Sequence, residues 1–168
     1  MSKGTHDYQA DPRNEHIRIS VNGELLPRAQ AMVSVFDSGF VLGDGIWEGL
    51  RLHAGGLPFL DMHLDRLYEG ARAIDLDIGP RREELTQRIV DTLRANGMHS
   101  DVHIRLMVTR GIKATPHQDP RFIISPATIV IIPEYKQPLP ATVEQGIRLF
   151  TVHVRRGAPD VQDPKLNS

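Results

Sequence analysis

From Ile17 to Val21 apolar and polar residues alternate as I-R-I-S-V, and the run stops at Asn22-Gly23 before Glu24, Leu25, Leu26 and Pro27. A period of two marks a strand with one buried face, and Asn-Gly is the strongest short hairpin signal, so the chain should open on a β-hairpin. The same alternation returns from Ile46 to His53, setting Ile46, Glu48, Leu50 and Leu52 against Trp47, Gly49, Arg51 and His53. Ala54-Gly55-Gly56 turns the chain, and Leu57 to Leu60 is expected to begin a return. Leu60, Leu64, Leu67, Ala71 and Ile74 then recur at helical spacing, predicting an amphipathic helix up to about Leu76. Pro80 at the start, Leu85, Ile89 and Leu93 along one face, and Asn96-Gly97 at the end predict a second helix. Three more strands are expected at 102–110, 127–135 and 147–154.

Strands and helices share the same stretch without alternating one for one, which favours an α+β fold over a doubly wound sheet. Between the last strands, 110–126 is a polar loop with three prolines, long enough to suggest a functional role. After Val154 the chain reads RRGAPDVQDPKLNS and stops. Stable domains usually close on an element docked to the core, so a truncated or cleaved polypeptide is expected.

Composition narrows the partners. With 40% apolar residues, 24% charged residues and a formal charge of −1 over 168 residues, the chain is globular without bulk attraction to polyanions. Neither a nucleic-acid nor a membrane partner is expected. The absence of cysteine excludes disulfides, thiolate metal sites and cysteine nucleophiles. No apolar signal core or spanning run is present, and the expected location is cytoplasmic. A lone Gly43-Asp44-Gly45 is weak as a phosphate loop and reads better as the turn entering a strand. His99 and His103 straddle a loop-to-strand passage, too far apart for a zinc pair.

Three sets of side chains remain candidates for chemistry. Arg66 lies on the flank of the first predicted helix with Gly70 and Ala73, small neighbours that leave room for an anion. A guanidinium is well suited to phosphate, although pairing with Asp65 or Glu69 is the plainer alternative. Trp47 and Arg51 share one strand face; a core anchor and a surface ion pair would also explain them. Arg105 and His103 share the polar face of the strand at 102–110.

The ordered set DSGFVLGDGIWEGLR at 37–51, HLDRLYEGARAI at 63–74, HIRLMVTRG at 103–111 and VRRGAPDVQDP at 154–164 resembles the N-terminal domain of class IV, fold-type IV, pyridoxal-phosphate aminotransferases. Branched-chain aminotransferases, D-amino-acid aminotransferases and aminodeoxychorismate lyases belong to that group. The resemblance implies a mostly antiparallel sheet with two helices over 1–135. It further implies that 136–168 is an interdomain connection and the start of a C-terminal domain absent from this chain. It implies a homodimer acting on an amino acid and a 2-keto acid with pyridoxal 5′-phosphate as cofactor. By the same resemblance Arg66 would grip the phosphate and Trp47 would wall the substrate pocket. Arg51, in the GLR ending, points to the branched-chain type. Arg105 would hold a distal carboxylate as in branched-chain relatives, and Arg110 an α-carboxylate as in D-amino-acid relatives. The reaction needs a lysine that forms a Schiff base with the cofactor. Lys165, followed by Leu166-Asn167, stands near the family's position but directly after Pro164, so a lysine beyond Ser168 is the alternative. A lyase on the same scaffold and a non-catalytic dimerisation module are the competing readings.

Overall fold

The computed structural model describes residues 10–137, 139–155, 157, 158, 160, 161, 163, 166 and 167. Its elements are β1 (Arg18–Val21), β2 (Glu24–Pro27), α1 (Ser38–Leu42), β3 (Gly45–Leu52), α2 (Leu60–Ala73), α3 (Arg82–Ala95), β4 (Val102–Thr109), β5 (Thr128–Tyr135) and α4 (Pro140–Gln145). Five strands form one sheet in the order β2-β1-β5-β4-β3, every pair antiparallel. This is the α+β architecture expected from the sequence, with α1 and α4 as two short helices beyond the expected pair.

The opening hairpin forms as predicted. Asn22 and Gly23 both take positive φ, 53° and 91°, the geometry a two-residue primed turn requires. The Asn22 side chain also accepts a hydrogen bond from the Ile129 amide at 2.8 Å, tying the hairpin tip to β5.

Register divides the sheet into two unlike faces. Ile46, Leu50 and Leu52 of β3, Val102, Ile104, Leu106 and Val108 of β4, and Ile129 and Ile131 of β5 all point to one side and are buried. Leu64, Leu67 and Ala71 of α2 and Leu85, Ile89 and Leu93 of α3 close over them. Each such side chain contributes about 1.5–3 kcal/mol by leaving water, so this single interface is the core. The other face carries Trp47, Gly49 and Arg51 alongside His103, Arg105 and Met107, then Val130, Ile132 and Glu134. Neither α2 nor α3 covers it; only the short α1 borders it, through Phe40.

Two expectations are corrected. Residues 147–154 form no strand: Leu149 and Phe150 are 83% and 82% exposed, and no described strand offers them a ladder. An alternating pattern proposes a strand, but backbone partners decide it. Likewise Leu57 to Leu60 does not begin a return strand. A single bridge, His53 to Gly56, closes the turn, and Leu60 is already the first residue of α2. No described helix is long and apolar enough to cross a membrane.

The 110–126 loop is tied down internally. Ala114 donates to the Phe122 carbonyl and Ile124 to that of Ile112, while Lys113, 1% exposed, donates through Nζ to the Asp119 carbonyl at 3.2 Å. Gly111 starts the loop at φ 104°, and a Cβ there would stand 2.3 Å from the Pro126 carbonyl oxygen. Gly111→Ala therefore meets both backbone strain and a clash with rigid main chain. Urea denaturation should show a loss of about 2 kcal/mol or more.

Candidate active site

Glu48 falls in the buried row of β3, between Ile46 and Leu50, and its side chain is only 1% exposed. An unpaired carboxylate there would cost several kcal/mol, so the fold must bring cations to it. It does so from α2. Arg66 donates through Nε to Oε1 and through Nη2 to Oε2, both at 2.6 Å. His63 Nδ1 lies 2.8 Å from the same Oε2. His63 and Arg66 are three residues apart and so share one helix face, which packs against β3. The bond to Glu48 holds the Arg66 guanidinium above its usual basicity.

Arg66 thus pairs across the sheet rather than with its helical neighbours; Asp65 pairs instead with Arg82 at 2.6 Å. Its side chain remains 48% exposed, so one partner of the pair is sunk in the core and the other reaches solvent. Nη1 meets no hydrogen-bond partner among the described residues. Glu48 is the residue that reasoning from sequence misses. Its position in an otherwise aliphatic row is the available signal, because a carboxylate at a core position demands nearby cations.

The free edge of β3 is occupied as well. The Trp47 amide donates to the Asn167 carbonyl at 2.8 Å, and Asn167 Nδ2 donates to the Trp47 carbonyl at 2.8 Å. Asn167 thereby satisfies both backbone groups of an edge residue. Leu166 settles over Gly70: a Cβ at Gly70 would lie 3.8 Å from Leu166 Cδ2 and 3.7 Å from Ile46 Cγ2. The room beside Gly70 expected for an anion is therefore filled by Leu166. Lys165 lies outside the described residues. Its neighbours Leu166 and Asn167 reach β3 at Trp47 and lie beside Gly70 of α2, the helix that carries Arg66.

On the uncovered face, the Arg105 guanidinium stacks 3.9 Å from the centroid of the Trp47 ring. Arg51, opposite His103 in the register, donates through Nη1 to the Lys136 carbonyl at 2.6 Å. Between them the His103 ring leans over Gly49, its Nε2 3.3 Å from where a Cβ would sit, so the absence of a side chain there makes room for the imidazole. Trp47 also lines a cleft of about 570 Å³ with Phe40, Met107, Val130 and Ile132. Trp47, Arg51 and Arg105 stand on one face of the sheet, with Arg105 against Trp47 and Arg51 farther along β3 beside Lys136, whereas Arg66 pairs with Glu48 on the other face. The two groups meet only at β3.

Arg110 is elsewhere. It donates to both carboxylate oxygens of Asp44, at 2.8 and 3.0 Å, and to the carbonyls of Ile74 and Asp75 at 2.7 and 2.5 Å, where α2 ends. The structure does not bring it to the Trp47 group, and its donors are committed to joining the loop, the β3 entry and the helix end.

Burial lowers the basicity of His103, and the nearby cations Lys136, Arg105 and Arg51 lower it further, against an opposing pull from Glu134. Near pH 6 the folded chain therefore binds fewer protons at this site than the unfolded chain, whose histidine titrates at about 6.5. Stability carried by neutral His103 is present above that range and declines as pH falls through it. Urea midpoints measured from about pH 7.5 to 5.5 should fall with acidification, and His103→Gln should flatten the slope.

Comparison with known proteins places this geometry in a family. The model of amino-transferase class IV matches residues 45–166, a span that includes Glu48, His63, Arg66 and Leu166. The chain belongs to the class IV aminotransferases, a family of pyridoxal-phosphate enzymes. It is 42% identical over 156 residues to "branched-chain-amino-acid aminotransferase-like protein 1" of Arabidopsis thaliana, covering 93% of this chain and 28% of that protein. It is 39% identical to a "putative branched-chain-amino-acid aminotransferase" of Methanocaldococcus jannaschii, over 90% of this chain and 51% of that one. Its fold matches a T.th. branched-chain amino acid aminotransferase, solved with N-(5′-phosphopyridoxyl)-L-glutamate, at a TM-score of 0.76 and 27% identity, over 90% of this chain and 50% of the other. The chain therefore spans between about a quarter and a half of these relatives.

Proposed function

We propose that this chain is the N-terminal part of a pyridoxal-5′-phosphate-dependent aminotransferase that exchanges an amino group between an amino acid, of branched-chain type, and a 2-keto acid. The observation that carries the proposal is the convergence at β3 of a half-exposed guanidinium, anchored by a buried carboxylate, and the Leu166-Asn167 segment. A phosphorylated cofactor needs a cation at its phosphate and a lysine at its aldehyde; in this reading Arg66 is the cation, and Leu166-Asn167, docked against Trp47 and Gly70, belong to the segment that supplies the lysine. When bound, the cofactor supplies an electron sink for the carbon that carries the amino group.

The residues of this chain divide the remaining work. Arg66 has its outward edge free for a phosphate. Its fit to the group rests on that geometry, since Glu48 already holds the side-on edge. Arg105 presents positive charge against Trp47 and Arg51 adds a second charge farther along the same face, a pairing suited to an amino acid with a carboxylate and an apolar side chain. Met107, Val130 and Ile132 extend the apolar wall. The same two arginines suit glutamate as the alternate donor, its second carboxylate meeting the guanidinium that leucine would leave unused. Lys165, or a lysine following Ser168, is the proton shuttle in this reading. Arg110 serves by holding the 110–126 loop against α2 rather than by meeting a carboxylate.

A homodimer is part of the proposal. Met32 at 74%, Val35 at 64%, Phe40 at 70% and Ile124 at 66% exposure are apolar side chains that a second subunit would cover in this reading.

Keto-acid-dependent transfer from leucine or valine to 2-oxoglutarate tests the reaction, and borohydride reduction with peptide mapping identifies the lysine carrying the cofactor. Trp47→Ala should raise KM for the branched-chain donor by about tenfold, as expected when a large apolar wall is removed. Release of pyruvate from aminodeoxychorismate without amino transfer would replace the proposal by a lyase. Self-association with neither activity nor a labelled lysine would leave a dimerisation module.

A further inference from the structure

We propose that Glu48 is a positioning residue for the cofactor's phosphate, holding Arg66 so that the outer fork of its guanidinium, Nη1 and Nη2, faces the anion. The proposal rests on the reading of Arg66 as the phosphate ligand and adds the group that aims it.

Three observations carry it. The first is location: position 48 lies between Ile46 and Leu50 in a row that an aliphatic residue would fill without losing hydration. A buried carboxylate in that row is worth little as a stability device, so what it contributes is direction. The second is geometry. Two bonds of 2.6 Å to Nε and Nη2 fix the plane of the guanidinium, and His63 at 2.8 Å stops the carboxylate from turning. The third is what is left over. Of five N–H groups, the pair with Glu48 uses the one on Nε and one on Nη2, leaving the second of Nη2 and one of Nη1 side by side along the outer edge and the other of Nη1 on the Cδ side. That edge is a planar fork of the spacing phosphate oxygens accept.

Glu48 also carries negative charge, which by itself would weaken attraction for a dianion. Orientation outweighs it because Arg66 is half exposed. Without its anchor the long side chain would spread over many rotamers and lose that freedom only on binding.

The test uses the full chain and its single tryptophan, Trp47, beside Glu48, as the fluorescent reporter. Affinities for pyridoxal 5′-phosphate and for pyridoxal are measured, with inorganic phosphate as competitor. Their ratio isolates the phosphate's share of binding, which a merely structural defect would leave alone. Glu48→Gln turns an amide N–H₂ toward Arg66 or His63 and breaks the fork. The ratio should fall about tenfold, or ~1.4 kcal/mol, with pyridoxal affinity unchanged. Arg66→Ala separates the two layers. If that variant keeps the full ratio, the phosphate reading itself is wrong. If it collapses the ratio while Glu48→Gln preserves or raises it, the reading stands and the positioning role is wrong. Should Glu48→Gln not fold, Arg66→Lys at the half-exposed position decides. It restores charge without a fork, and full recovery of the ratio would overturn the proposal, whereas recovery of less than about a third supports it.

Discussion

A carboxylate with 1% exposure in the middle of a sheet is the constraint around which the rest of this structure is organised. Glu48 cannot be left alone in the core, and the described side chains that reach it are the Arg66 guanidinium and the His63 imidazole, one turn apart on α2. That requirement sets the rotation of α2 about its axis and its height along β3. It also explains why a charged side chain stands at the boundary between the hydrophobic interface and solvent. The aliphatic contacts supply most of the free energy of this interface; the ion pair supplies its alignment.

The second organising fact is that β3 is an edge strand. An exposed edge offers unpaired backbone groups, and here Asn167 takes both of those on Trp47. The end of the described chain is thereby returned to the strand that carries Glu48 on one face and Trp47 and Arg51 on the other. A site built across an edge can use both faces of a sheet. The helix-covered face presents Arg66 and the uncovered face presents Arg105 stacked on Trp47.

Much of this was legible beforehand where local pattern decides the outcome. The alternation of β3 separated Leu50 from Arg51 correctly, the helical spacing located α2 and α3, and Asn22-Gly23 formed its turn. Patterns misled where a partner was needed. Residues 147–154 alternate well, yet Leu149 and Phe150 stand in solvent because no described strand lies beside them. Arg110 could not be placed from sequence either. The resemblance offered it an α-carboxylate, but Asp44 and the end of α2, 66 and about 36 residues away, take its donors. Gly70 looked like space for an anion until Leu166 was seen over it.

The amino-acid sequence determined the opening hairpin, the two long helices, the two faces of β3 and β4 and the family, because periodicity and ordered motifs are properties of neighbouring residues. Tertiary structure alone decided which charges meet. Whether Arg66 faced Asp65, Glu69 or Glu48, and whether Asn167 reached Trp47, depended on contacts between residues 18 and 120 positions apart. Over such separations local propensity carries no information, and the partner is selected by the cost of leaving a buried charge or an edge amide unsatisfied.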